Sequence, residues 1–212
     1  MNNIYSLGGG CYAAYSFQRL GYNKEHFFFD YMWNLQGGLK TVVDIFNEDF
    51  KSYYDISNYE FRNTHKILTM GSFNTNIVHP ELVLMHHDTR VPGVFDSICR
   101  KADRTIHVFN SREHKLFIYY RGYFTGPETV SLLKEETEYF VTEFIKKYNT
   151  NFTILSLIEI TPKELCCIEE LLSPLISSDH ILYDYIIREN NSSWDNTLTK
   201  HINALRSRGI LS

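Results

Sequence analysis

Residues 115 to 160 constrain the fold more tightly than any other part of the chain. Lys115 to Tyr120 is a compact apolar run, and Thr125-Gly126-Pro127 then opens a long helix with Pro where its missing N–H costs nothing. Val130, Leu133, Phe140, Val141 and Phe144 supply that helix with a buried stripe, and Phe152 to Ile158 follows as a second apolar run. Strand, long helix, strand is a βαβ unit, which requires a parallel pair of strands and normally a right-handed crossover. The expected fold class is therefore α/β, three-layered, with a largely parallel sheet. Residues 1–212 form one domain in this reading, with 161–212 as a C-terminal helical extension packed on it.

The rest of the chain supplies fewer signals. Ile4-Tyr5-Ser6-Leu7 reads as a short strand ended by Gly8-Gly9-Gly10, and Cys11 to Leu20 as a helix ended by Gly21. Leu39, Val42, Val43 and Phe46 fall at helical spacing over 38–47, and Val94 to Phe109 is a further helix. Residues 51–80, rich in Asn, Ser and Tyr, read as irregular with short strands. Leu82-Val83-Leu84-Met85 reads as a buried strand running straight into His86-His87-Asp88. Thr161-Pro162-Lys163-Glu164 matches a capping box that starts a helix to about Leu172. Ser193 is the expected cap of a last helix, with Trp194, Leu198, Ile202 and Leu205 on one face.

Composition narrows the function classes. The chain has 212 residues, 43% hydrophobic and 15% aromatic, enough to fold without staples, so its four cysteines are not needed as a framework. Lys plus Arg number 21 against 25 Asp plus Glu, a net charge of -4 with no basic run, so no nucleic-acid partner is expected. The longest apolar stretch, Phe152 to Ile160, is too short for a bilayer and contains Glu159, so no membrane partner is expected and a cytoplasmic location is. Oligomeric state is not legible.

Chemistry concentrates at two places. Cys11 lies in the first turn after the glycine loop, where unpaired backbone N–H groups and the positive end of a helix dipole favour the attacking thiolate. His87 and Asp88, at a strand end, are the candidate base and orienting group, in the chain order Cys, His, carboxylate. Adjacent residues on a strand point to opposite faces, so Asp88 must turn back to orient His87; otherwise Asp30, Asp103 or Asn110 takes that role. The same loop carries a rival, since Gly8-x-Gly10-x-x-Ala13 fits the dinucleotide fingerprint, with Asp30 about 20 residues on as the ribose-binding acid. His86, His87, Asp88 and His79 also form a candidate metal shell, but the H-E-x-x-H spacing is missing. No cofactor and no metal is expected.

Tyr5-Ser6-Leu7-Gly8-x-x-Cys11-x-x-Ala14, followed by Phe29-Asp30-Tyr31-Met32, resembles the opening of a family of uncharacterised bacterial domains described as papain-like cysteine peptidases. His87-Asp88 is similar to that family's His-Asp pair, and Lys101-Ala102-Asp103-Arg104-Thr105-Ile106-x-x-Phe109 to its helix of the form Lys-Tyr-x-Arg-Arg-Ile-x-x-Phe. The resemblance covers roughly 1–160 as an ordered series of short motifs. It departs where the family has Trp and this chain has Tyr31, at Thr105 in place of the second arginine, and at Tyr119 or Arg121 where an arginine closes the strand. It implies Cys11 as nucleophile and His87 as base, with Asp30, Asp88 and Asp103 as motif positions. Papain-like cores join a helix to an antiparallel sheet, whereas 115–160 reads as parallel.

Together these readings lead to a hydrolase or acyl transferase acting on an amide, ester or peptide, with a small molecule or peptide as substrate. Backbone N–H groups from Gly9 to Tyr12 would hold the oxyanion. The alternative is a nucleotide- or sugar-phosphate-binding module that cradles phosphate on Gly8–Gly10 and does not depend on Cys11. A structural or partner-binding role is a third reading, given the aromatic content.

Overall fold

The two apolar runs flanking the long helix lie parallel in the computed structural model, with Lys115 opposite Phe152 and Tyr120 opposite Leu157. The structure describes residues 3–22, 25–34, 38–64, 73–79, 82–85, 88–175, 178, 180–188 and 192–211, with the backbone alone at 31, 33, 34, 60–64, 73–79 and 82–85. The first half of the chain holds β1 (Ile4–Ser6), α1 (Tyr12–Arg19), β2 (Met32–Asn34), α2 (Gly38–Asn47), β3 (Glu60–Thr64), β4 (Phe73–His79), β5 (Leu82–Met85) and α3 (Val94–Asn110). The second half holds β6 (Lys115–Tyr123), α4 (Pro127–Lys147), β7 (Phe152–Ile160), α5 (Leu165–Leu172), β8 (Ile181–Ile187) and α6 (Ser193–Ser207). One sheet has the order β1-β6-β7-β8 and is parallel throughout; the other has the order β2-β5-β4-β3 and is antiparallel.

All nine residues of β7 are buried, because the strand is flanked on both edges and covered on both faces. Period-two alternation sorts its side chains. Phe152, Ile154, Ile158 and Ile160 join a core with Val130, Leu133, Phe140 and Phe144 of α4 and Val42, Val43 and Phe46 of α2. Leu155 and Leu157 join a second core with Ala13 and Phe17 of α1 and Trp194, Leu198, Ile202 and Leu205 of α6. Helices therefore cover both faces of the parallel sheet, giving the three-layer α/β architecture with its βαβ unit at 115–160.

Several polar side chains inside these layers have partners among the described residues. Ser156 faces α4, where its hydroxyl meets Thr137 Oγ1 at 2.7 Å, and Thr137 also donates to the Leu133 carbonyl at 2.6 Å. Asp184 of β8 points at α6, accepting from Lys200 Nζ at 2.8 Å and lying 2.7 Å from His201 Nε2. Lys115 is fully buried with its ammonium on the Ser111 and Glu113 carbonyls and on Thr150 Oγ1, at 2.6, 2.8 and 2.7 Å.

Residues 60–64 and 73–79 are the short strands expected within the otherwise irregular segment 51–80, paired with each other in the antiparallel sheet. Two expectations need correction. Residues 161–212 are not a helical extension alone, because β8 pairs with β7 from Ile154↔Ile181 to Ile160↔Ile187 and is the fourth strand of the parallel sheet. Ser193 is the first residue of α6 rather than its cap: its hydroxyl accepts from the Ile187 N–H at 2.9 Å and ties the helix start to the end of β8.

Candidate functional site

The end of β1 and the end of β6 feed helices on opposite faces of the sheet. The chain leaves β1 through Gly8–Gly10 into α1 on one face, and leaves β6 through 124–126 into α4 on the other. Neighbouring parallel strands whose connections part in this way leave a crevice beyond their C-terminal ends, the usual ligand position in open α/β sheets. Cys11 stands there, immediately before α1.

The loop is held from two sides. Gly9 has φ +88° and lies so close to β6 that an added Cβ would fall on the Tyr120 carbonyl oxygen, well inside the 3.0 Å that real Cβ atoms keep. Gly10 donates its N–H to the Met32 carbonyl at 3.1 Å, and Gly8 donates to Ser6 Oγ at 3.2 Å. Two of the three glycine amides expected to cradle phosphate or help hold an oxyanion are thus bonded within the protein.

Cys11 is half-buried and caps nothing with its side chain. Burial pushes its thiol up from the ordinary 9.0, with its own backbone N–H opposing the change. This corrects the expectation that backbone and helix dipole alone would favour thiolate: in the described surroundings desolvation wins.

The carboxylates expected around the thiol are placed as follows. Asp30 is 2% exposed; its Oδ2 accepts from the Phe27 N–H at 2.8 Å and lies 3.7 Å from His26 Nδ1. Its Oδ1 is buried with no hydrogen-bond partner among the described residues. Asp30 sits two positions before Met32, whose carbonyl holds Gly10, so the structure brings the Asp30 segment to the cysteine loop. Buried in this way, it is a capping group rather than an open ribose ligand. Asp103 accepts from the Tyr54 hydroxyl at 2.6 Å and helps to raise the pKa of a different thiol, Cys99, after the larger effect of burial. Asp88 is engaged by Arg90 at 2.7 and 2.9 Å, and Asn110 donates to the Ile106 carbonyl at 2.8 Å. His86 and His87 lie outside the described residues, as does the side chain of His79. The strand that precedes His86 and His87 in sequence, β5, is described: Leu84 pairs with Met32, which puts β5 two strand spacings, about 10 Å, from Gly10.

Sequence reasoning missed a cavity of about 790 Å³ on the α1–α6 face, at the C-terminal ends of β6, β7 and β8. Its floor carries Glu159, which accepts from the Tyr120 hydroxyl at 2.7 Å and from Arg188 Nε at 3.0 Å. Arg188 lies 3.7 Å from the centre of the Tyr123 ring. Tyr12 stacks on Trp194 with centroids 5.9 Å apart, and Arg19 grips Asp195 through two hydrogen bonds of 2.8 and 3.1 Å. The Tyr12 hydroxyl is pushed up by burial, then by the charges of Tyr123, Cys11 and Glu159, against Arg188. The available signal was parity: Glu159 alternates with Leu155 and Leu157 and so points to the α1–α6 face at a strand's C-terminal end. No protein-family model, no curated protein and no solved structure matches the chain.

Proposed function

We propose that the protein is a cysteine-dependent hydrolase or acyl transferase acting on an amide, ester or peptide bond. The observation that carries this reading is the position of Cys11 in the crevice where β1 and β6 send their helices to opposite faces, beside a cavity large enough for a small molecule or peptide side chain. The similarity of the Cys11, Asp30 and His87-Asp88 motifs to the papain-like family adds support, as does the register that carries β5 toward the glycine loop.

In this mechanism Cys11 Sγ attacks the carbonyl carbon as thiolate, its proton passing to His87, and the carbonyl electron pair moves to oxygen. Collapse of the tetrahedral species expels the amine or alcohol, which takes the proton from His87 and leaves an acyl-cysteine thioester. Water, or an acceptor alcohol or amine, then attacks the thioester with His87 as base, releasing the acid or transferred acyl product and restoring the thiol. Because burial holds the isolated thiol up, activation rests on the histidine rather than on the helix. The phosphate-cradle alternative has less support, since Gly8 and Gly10 spend their amides internally and Asp30 is buried.

Alkylation by iodoacetamide, followed across pH by mass spectrometry of the Cys11 peptide, tests the reading. The wild type is expected to react with a lower apparent pKa than His87→Ala. Identical profiles in the two proteins would eliminate the mechanism.

A further inference from the structure

The cavity between α1 and α6 has a chemistry of its own. Its two carboxylates are already satisfied: Glu159 holds Tyr120 on one oxygen and Arg188 on the other, and Asp195 holds Arg19 on both. A cationic ligand would have to break one of these pairs. Arg19 is engaged by Asp195 and Ser16, but Arg188 is less fully used. Among the described residues Arg188 commits only its Nε to hydrogen bonding, and its side chain is 40% exposed. A guanidinium carries five N–H donors in a planar fork, so most of its capacity to grip an anion is left over.

The apolar walls are aromatic and open. Tyr12, Tyr15 and Tyr123 are 42%, 41% and 50% exposed, which places three large exposed rings around one opening. Tyr12 is braced from behind by Trp194, at 17° between planes, and Trp194 meets Tyr120 edge-on at 5.2 Å. A ring packed against Trp194 and Tyr120 yet 42% exposed is a stacking platform that loses little entropy on binding. Arg188 is in turn held over Tyr123, which fixes the guanidinium close to this platform.

We propose that this cavity binds a ligand that combines a planar ring with an anionic group, the ring stacking on the exposed part of Tyr12 and the carboxylate or phosphate taking the outer edge of Arg188. The volume of about 790 Å³ lies within the range of small-molecule sites. The proposal concerns binding to the unreacted protein and holds whether or not Cys11 attacks a carbonyl.

Isothermal titration calorimetry on the full chain tests it with adenosine 5′-monophosphate and indole-3-acetate, which carry ring and anion as phosphate and as carboxylate. Adenosine, indole and inorganic phosphate supply each half alone. Saturable binding of at least one ring-anion probe, with each half about tenfold weaker or absent, is expected, and the better probe identifies the anion. Arg188→Gln is expected to weaken that probe about tenfold or more, and Tyr12→Leu, on an exposed ring, about fivefold, with thermal melting to show that both fold. No binding by either probe, equal binding by a neutral half, or unchanged binding in a folded Tyr12→Leu protein would each overturn the proposal.

Discussion

Gly9→Ala tests the closest approach in the site. Two penalties combine there. An L residue at φ +88° sits in the left-handed region, which costs an alanine about 1–2 kcal/mol. The new methyl also meets the Tyr120 carbonyl, a backbone atom in a strand clamped between β1 and β7, so relief requires moving the sheet, and overpacking of this kind costs about 1–3 kcal/mol. Together they come to roughly 2–5 kcal/mol, and for a chain of this length each kcal/mol lowers the melting temperature by about 2–4 °C. Gly21→Ala is the control: φ is +69° and nothing lies within 4 Å of the added methyl, so only the first penalty applies. By differential scanning calorimetry the expected drop is about 2–8 °C for Gly21→Ala and about twice that or more for Gly9→Ala. Equal drops in the two variants would refute the close approach, and with it the placement of the cysteine loop against β6.

Burial pushes the Lys115 ammonium down from 10.5 to about 8, so between these values the unfolded chain holds a proton that the folded chain has released. The penalty is present in full below pH 8 and stability rises with pH across the window; denaturant titrations of wild type against Lys115→Met are expected to show this rise in the wild type alone. Asp184 has the opposite linkage: burial favours its neutral form, but His201, Lys200 and the Tyr185 N–H outweigh burial and hold its carboxyl below the usual 3.8. Its contribution is present above that value and is lost as pH falls through the folded-state pKa, so Asp184→Asn is expected to lose about 1–3 kcal/mol at pH 7 and to converge with wild type under acid unfolding. Thr137→Val keeps the volume but leaves the buried Ser156 hydroxyl without its partner, and about 1–3 kcal/mol of stability is expected to go, measurable by urea unfolding.

The chain's local signals served where neighbours along the sequence decide the structure. Pro127 and the stripe from Val130 to Phe144 mark α4 without reference to anything distant, and the Thr161–Glu164 capping box forms as spaced. The β8 strand carries no comparable mark. Asp184 interrupts its apolar run, and only the approach of Lys200 and His201 from α6 makes a carboxylate acceptable there. The candidate site divides in the same way. Cys11 behind its glycines was legible as a loop-to-helix transition, but the direction of its pKa depends on how much of the thiol the tertiary structure covers. Glu159 drew notice only as a charge within an apolar stretch; its partners Tyr120 and Arg188 lie 39 and 29 positions away, beyond any motif window.

The Arg19–Asp195 pair joins residues 176 positions apart, and the cavity walls come from segments equally remote. At a synthesis rate of roughly 5–20 residues per second, α1 leaves the ribosome about 10–35 seconds before α6. Through that interval the apolar face of α1, with Ala13 and Phe17, has no helix beside it, and Tyr12 has no Trp194 behind it. The proposed ligand site is therefore complete only once α6 has been made and has docked beside α1.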